Sequence, residues 1–486
     1  MEIIIILSIP LILALLSYFI KQYKALAALN LCGHFAVLLC AAGLVMKLLT
    51  PGASIFVWRL FYVDALSGIF IIVSAVLNFS AALYSVNYIE KDLQEKEMSP
   101  RKSRVYFVLF NLFVFTMFAV TAVNNLGFLW VAIEMTTLVS AFLVGFYNNK
   151  KSVEAAWKYI IVCSVGIALA LFGTILFYYA AYSAAGIKTL NWKDIVERAA
   201  SLDPRIVKVA FLFILVGYGT KAGLVPMHTW LPDAHSQALT PVSALLSGVL
   251  LKTAVYGILR FLVIVNKCVG SQYTGNLMLL FGILSLGVAA GFILVQKDLK
   301  RLLAYSSIEH IGIISIGIGF GGAMGLYGAL LHVFNHAFTK AIMFFGAGNI
   351  VKKYKTNNMH MIHGVIKTMP FTGIIVLLGM FALAGSVPFS LFLSEMIILV
   401  SGFLKGYYLA SALFLFFVAV IFAALLNHFS RILFGRKPEG MEVSGERLCG
   451  KISFIMLFVL ILAMGFYVPP VLNRLIISAE SVINGA

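Results

Sequence analysis

GYGTKAGLVPMHTWLP, residues 217–232, sets Lys221 just ahead of Gly223 and Pro226, with membrane-length apolar sequence on either side. Lipid accepts neither feature alone. A lysine at mid-membrane costs at least about 2.5–3.5 kcal/mol on insertion scales. Glycine and proline inside a helix free backbone groups that only protein or water can satisfy. The stretch therefore predicts a broken helix facing a bundle interior or a hydrated cavity, and a charge at such a break marks an ion path.

The composition agrees. Of 486 residues, 62% are hydrophobic and 11% are charged, too much apolar surface for soluble domains to hide. Apolar runs predict helices near 2–20, 25–47, 61–86, 105–122, 124–148, 154–182, 206–224, 238–265, 275–295, 300–320, 324–350, 370–400, 408–433 and 451–473. The expected fold is an all-α polytopic membrane protein of about 14 transmembrane helices. The first run lacks a basic leader and a small-residue cleavage pattern, so it reads as a permanent helix.

The net charge of +17 comes from topology and needs no nucleic-acid partner. Well over half of the 36 Lys and Arg fall in alternate turns, from Lys21 and Lys24 through Lys91–Arg104, Lys150–Lys151, Lys297–Arg301 and Lys352–Lys367 to Arg431–Lys451. Those turns are predicted cytoplasmic and both termini external.

Cys32, Cys40, Cys163, Cys268 and Cys449 are scattered and form no Cys-x-x-Cys pair, so they read as small apolar residues. GIGFGG at 317–322 ends a helix with no strand before it, which argues against dinucleotide binding. Redox catalysis by this chain itself is not expected. NWKDIVERAAS (191–201) reads equally as a short amphipathic surface helix or a plain connector.

The chain also resembles itself. NNLGFLWVAIEMTTLVS (124–140) aligns with KDLKRLLAYSSIEHIGI (297–313), Asp298 falling on Asn125. One residue further in register, Lys221 falls on Glu395 in LAGSVPFSLFLSEMIIL (383–399), where Gly385 and Pro388 mirror Gly223 and Pro226. Two five-helix units result, and an odd helix count inverts the second, the pattern of transporters built from inverted repeats. The expected organisation is an N-terminal three-helix segment (1–104), two half-channels each with a broken helix (105–268 and 269–436), and a C-terminal transmembrane helix (437–486).

Charged residues within apolar runs are the candidate site. Glu134 lies deep in an apolar helix, and Lys221 is its natural counter-ion; a static pair that only specifies packing is the plainer alternative. Lys252 is the next buried base, unless its ammonium snorkels to the interface. His332, His336 and Lys340 recur at four-residue intervals and so share one helix face. Two histidines so spaced can ligate a metal, but no HExxH pattern or third ligand is evident, and none is expected. Glu395 would end the path, or simply bond a neighbouring helix. Glu309 and His310 are weaker evidence: Glu309 is a further candidate for proton access or support, or the pair simply caps the tenth predicted helix. Lys158, His228, Asp233 and His235 are candidates for proton access or for satisfying freed backbone. Asp64 reads as an interfacial structural residue.

GYGTKAGLVPMHTWLPDAHSQALTPVSALLSGVLLKTAVYGILR (217–260), LLHVFNHAFTKAIMFFGAGNI (330–350) and FLWVAIEM (128–135) resemble the antiporter-like subunits of respiratory complex I, of multisubunit sodium/proton antiporters and of group 4 membrane-bound [NiFe] hydrogenases. The resemblance covers nearly the whole chain. It implies that Glu134 and Lys221 form the first half-channel pair, that Lys252 is the central relay lysine, and that His332, His336 and Lys340 form the connecting helix. Glu395 stands where many relatives carry lysine. HSQALTPVSALLSG looks most like the hydrogenase-type members, and little sequence remains after the fourteenth predicted helix for the lateral helix of the distal complex I subunit.

What the resemblance implies is a proton-translocating, non-redox subunit of a membrane-bound hydrogenase or complex I-like oxidoreductase, in the inner membrane of a prokaryotic-type cell. Its partners would be other antiporter-like subunits and a hydrogenase or quinone module, surrounded by lipid. Cofactors would sit in those partners, either nickel–iron with iron–sulfur clusters or flavin with quinone. A stand-alone or Mrp-type sodium/proton antiporter subunit and a non-pumping scaffold are the alternatives. The lysine- and histidine-rich middle favours protons over sodium because cations repel sodium.

Overall fold

The computed structural model describes residues 1–50 and 52–485. Helices α1 (Glu2–Phe19) and α2 (Tyr23–Lys47) precede a small antiparallel hairpin, β1 (Ile55–Val57) and β2 (Phe61–Val63), with Phe56 opposite Tyr62. Next come α3 (Ala65–Gln94), α4 (Pro100–Ala122), α5 (Leu126–Val144), α6 (Lys150–Ala185), the short α7 (Trp192–Glu197), α8 (Pro204–Ala222), α9 (Leu231–Gln237) and α10 (Thr240–Leu245). A π turn, Leu246–Leu250, leads into α11 (Leu251–Val269). The rest of the chain forms α12 (Ser271–Val295), α13 (Leu299–Phe320), α14 (Gly322–Tyr354), α15 (Val365–Thr368), α16 (Pro370–Leu383), α17 (Ser390–Leu404), α18 (Tyr408–Leu433), α19 (Leu448–Phe466) and α20 (Pro470–Asn484). Among the described residues, 11 helices are long and apolar enough to cross a membrane, and α16 and α17 are shorter apolar helices. The chain is an all-α polytopic membrane protein.

Several helix starts are written in single residues. Asp64, Asn125 and Asp298 precede α3, α5 and α13, and each side chain accepts a backbone N–H of the first turn at 2.9–3.0 Å. Asn149 and Ser152 cap α6 reciprocally. Small residues then decide which helices touch. A Cβ on Gly166 or Gly217 would lie 2.6 Å from Thr220 or Ala170, so α6 and α8 approach backbone to backbone; α12 and α13 meet the same way at Gly282 and Gly312. The apolar stretches of Thr240–Val269 and of α13 are wholly inside, and α14 packs on α10, α13, α16, α17 and α19.

Three expectations are corrected. The helix expected over 61–86 starts at Ala65, because Phe61–Val63 pairs as a strand and Asp64 caps α3. The helix expected over 451–473 ends at Phe466, since Pro469 has no N–H to continue it, and Pro470 opens α20. That helix buries Leu475, Ile476, Ala479 and Ile483 and packs on α3. The third correction is the register of the two breaks. Gly223 and Gly385 both hold positive φ, +84° and +65°, and each precedes a Val–Pro pair. Superposing them places Glu395 on Asp233 and Leu383 on Lys221, because Lys221 precedes its break whereas Glu395 comes after its own. The connector 191–201 resolves as α7 and a 3-10 turn, with Trp192, Ile195 and Ala199 buried.

Candidate functional site

Lys221 closes α8, and Gly223 ends the helix in the left-handed region that glycine adopts without a Cβ penalty. The Thr220 carbonyl beside the break accepts the Trp230 indole N–H at 2.8 Å, and Trp230 packs its ring on Tyr159 at 4.6 Å. Lys221 is fully buried. Its Nζ donates to Thr137 Oγ1 at 2.6 Å and to Tyr159 Oη at 2.7 Å. Thr137 in turn donates to Glu134 Oε2 at 3.3 Å, and Ser164 donates to Glu134 Oε1 at 2.9 Å.

The direct ion pair expected between Glu134 and Lys221 is therefore corrected. Thr137 stands between them, and no salt bridge joins the two. Nor is Glu134 deeply buried: it is half-buried on the side of α5 where Val131, Met135 and Leu138 are exposed. A single hydroxyl that accepts from the lysine and donates to the carboxylate makes a one-step proton wire.

Lys252 is buried, which removes the snorkelling alternative. Its Nζ donates to the Ser247 carbonyl at 2.7 Å, a group within the π turn, and Ser247 Oγ meets Ser307 Oγ at 2.8 Å. On α14, His332, His336 and Lys340 are fully buried and all face α13. Lys340 donates to the Leu303 carbonyl and, at 2.5 Å, to Ser306 Oγ. His332 Nε2 lies 3.0 Å from His310 Nδ1, and its Nδ1 lies 2.9 Å from Ser394 Oγ on α17. Glu395 Oε1 approaches His310 Nδ1 at 4.0 Å. The His336 ring centres 4.5 Å from His310, both its nitrogens lack hydrogen-bond partners, and Lys252 and Lys340 act on it electrostatically.

Sequence reasoning set His310 aside with Glu309 as a cap. The fold instead puts His310 at the centre of the second cluster, while Glu309 is buried with Oε2 unpartnered. The histidines also acquire further ligand groups: His310, His332 and Glu395 present one atom each, all within 4.8 Å of one another. No spacing rule reveals that set, since it comes from α13, α14 and α17.

Lys158, expected within a helix, reaches the surface and pairs with Asp233 at 2.6 Å, and Arg301 pairs with the other Asp233 oxygen at 3.1 Å. They line a polar cavity of about 260 Å³ with Glu154, Gln237 and Asp298. Burial there pushes the Asp298 carboxyl above the usual carboxylate range. His235, nearby on α9, is buried; its Nδ1 faces the Leu231 carbonyl at 2.9 Å and its Nε2 is unpartnered. His228 sits in the break with Nδ1 unpartnered.

Gly385 offers a clean perturbation. A Cβ there would overlap Glu395 Oε2, and φ is +65°. Gly385→Ala is expected to cost about 1–2 kcal/mol of backbone strain and to displace the Glu395 carboxylate without changing any charge. Any proton transfer by way of Glu395 should fall with it, while Gly291→Ala, whose Cβ meets nothing within 4 Å, leaves it unchanged. Equal pumping in both variants would remove Glu395 from the path.

Residues 123–422 match the family described as NADH:quinone oxidoreductase/Mrp antiporter, transmembrane. The chain belongs to that family. Among its relatives, the hydrogenase-4 component F homolog of Methylacidiphilum infernorum is 37% identical over 463 residues, covering 95% of each chain. The hydrogenase-4 component B of Escherichia coli is 32% identical across 68% of this antiporter-family chain and 49% of its own length. A chain of the membrane-bound sulfane sulfur reductase, an archaeal respiratory membrane complex, superposes with a TM-score of 0.89 at 25% identity, covering 99% of this chain and 97% of that one. This is an antiporter-like membrane subunit.

Proposed function

We propose that this chain carries protons across the membrane as a non-redox subunit of a membrane-bound, hydrogenase-type energy-converting complex. The observation that carries the reading is Lys221, fully enclosed and bonded to two hydroxyls, with Glu134 one hydroxyl further on. A lysine held by neutral partners can release or take up a proton without breaking an ion pair. When chemistry elsewhere moves a neighbouring charge, Lys221 and Glu134 exchange a proton through Thr137, and the path continues by Lys252, His336, His310 and His332 to Glu395. Asp233 and Lys158 supply access from the polar cavity that they line, and His235, buried behind it on α9, takes the proton inward.

The reading includes fourteen spans, two inverted half-channels over 105–268 and 269–436, external termini and the inner membrane of a prokaryotic-type cell. The like breaks at Gly223 and Gly385, and the like bridges of Asn125 to Asn191 and of Asp298 to Asn358, support the repeat. The half-buried Glu134, among the exposed side chains of α5 and the exposed Trp157, Ile161 and Val165 of α6, supports a neighbouring membrane subunit on that face. Nickel–iron and iron–sulfur centres, or flavin and quinone, belong to partner subunits.

Purification of the intact complex with metal analysis tests this. Nickel co-purifying with the chain supports a hydrogenase; flavin with quinone reductase activity and no nickel moves the chain to a complex I-like oxidoreductase. Cation/proton exchange by the isolated chain in liposomes would overturn the subunit reading.

A further inference from the structure

We propose that His310, His332 and Glu395 form a site for one tetrahedral divalent transition-metal ion, zinc foremost, which ties the broken helix α16–α17 to α13 and α14. Two imidazole nitrogens and one carboxylate oxygen, each on a different helix, lie within 4.8 Å of one another. The nitrogens are 3.0 Å apart. Ligands about 2.0–2.1 Å from a tetrahedral zinc stand about 3.3 Å apart, so a small separation of the rings admits the ion. Glu395 Oε1, 4.0 Å from His310 Nδ1, has to close by about 0.7 Å on that side and by up to about 1.5 Å toward His332, since the three ligand atoms lie within 4.8 Å of one another; side-chain rotation supplies this.

The surroundings are those of a supported site. Ser394 Oγ meets the far nitrogen of His332 at 2.9 Å, and Asn335 holds Ser394 at 3.2 Å, which fixes the ring orientation as outer-shell groups do. A water completes the fourth position, as at zinc sites with three protein ligands; His336, whose ring packs 4.5 Å from His310, walls the site without belonging to the ligand group. The proton count closes. The hydrogen now shared between His310 Nδ1 and His332 Nε2 moves to His310 Nε2, which has no partner, and both rings stay neutral. Glu395 ligates as the carboxylate, giving up its proton if it carries one.

Nitrogen and oxygen donors without thiolate favour zinc over copper(I), and two imidazoles with only one carboxylate disfavour magnesium and calcium, which prefer all-oxygen ligands. The site is not sealed. Glu395 lies against Gly385, and Gly385, Ser386 and the largely exposed Val387 bring the break to the surface of this chain. On the proton-path reading alone, a bound ion replaces the His310–His332 hydrogen bond and stops the path; the binding itself does not depend on that reading.

The test titrates the purified, chelator-treated complex with Co²⁺ as a visible-absorption probe and then with Zn²⁺ as competitor. One Co²⁺ per chain, with the intense visible bands of a tetrahedral site and displacement by Zn²⁺, is expected. Ser394→Ala should weaken binding about 10–100-fold, Glu395→Gln at least as much, and His363→Gln on the surface should leave it unchanged. Equal affinity in all variants, or weak octahedral spectra only, means adventitious metal and overturns the site. If Glu395→Gln does not assemble, zinc density in a cryo-electron map of the wild-type complex decides: between the two rings supports the site, elsewhere refutes it. Pumping is read separately, so a metal-binding complex that pumps normally at saturating Zn²⁺ sinks the proton path and leaves the site standing.

Discussion

Lys221→Met brings proton pumping to background while the complex assembles in normal amount. Methionine fills nearly the lysine's volume, so the α6–α8 seam at Gly166 and Gly217 keeps its packing. What disappears is the ammonium that donates to both Thr137 Oγ1 and Tyr159 Oη, and with it the cation one hydroxyl from Glu134. Lys221→Arg separates charge from proton transfer. Guanidinium keeps the positive charge but does not deprotonate in proteins, so assembly should be preserved and pumping lost. Tyr159→Phe removes one hydroxyl while Thr137 still connects Lys221 to Glu134, and should slow pumping without abolishing it. The measurement is proton uptake by proteoliposomes carrying the whole complex, with partner redox activity as the control. Normal pumping by the arginine variant would mean that Lys221 acts only as a fixed charge.

The parts of this site that were legible in the sequence are those a residue type reveals by itself. A glycine followed closely by Val–Pro inside an apolar run interrupts a helix, so both breaks were readable, whereas Pro10 alone leaves α1 continuous; lysine, glutamate or histidine among leucines announces a cost whatever the fold. Partner choice was not legible. Thr136 and Thr137 are adjacent and alike, yet Thr136 bonds its own helix at the Ile133 carbonyl while Thr137 bridges Lys221 and Glu134. The register of Lys221 against Glu395 failed because the weak similarity of the flanking helices was followed in place of the Gly-x-Val-Pro that both breaks share; the positive φ at Gly223 and Gly385 supports the register of that shared pattern. His310 looked like a cap because its partners lie on α14 and α17, far away in sequence. Helix α20 was missed for a different reason: its polar face lowers the mean hydropathy that an apolar-run search uses, although one stripe of it is buried.

Asp64→Ala should destabilise the chain by about 3–5 kcal/mol, the usual cost of leaving one partner of a buried pair behind. Asp64 was legible as structural, but Arg260 was not singled out. Arg260 sends Nη1 and Nη2 to the two Asp64 oxygens at 2.7 Å each, with side-chain exposures of 4% and 1%. Its Nη2 also donates to Ser67 and its Nε to Tyr256, while Trp192 covers the guanidinium at 4.4 Å. The Trp192 indole donates to the Arg260 carbonyl at 2.7 Å, so the surface segment 191–201 is tied to α11. That is why its short helix is more than a connector. The clamp joins α3, α7 and α11, and α11 carries Lys252. Truncating Asp64 strands a guanidinium that cannot neutralise itself. Less assembled complex and a lower thermal aggregation temperature are expected, and the double variant Asp64→Leu with Arg260→Met should recover both in part, since apolar residues of similar volume replace buried pairs at little cost while the cap on the Ser67 N–H, worth about 1 kcal/mol, stays lost. Unchanged stability in Asp64→Ala, or a double variant no better than the single one, would show that the pair is not what holds α11 in place.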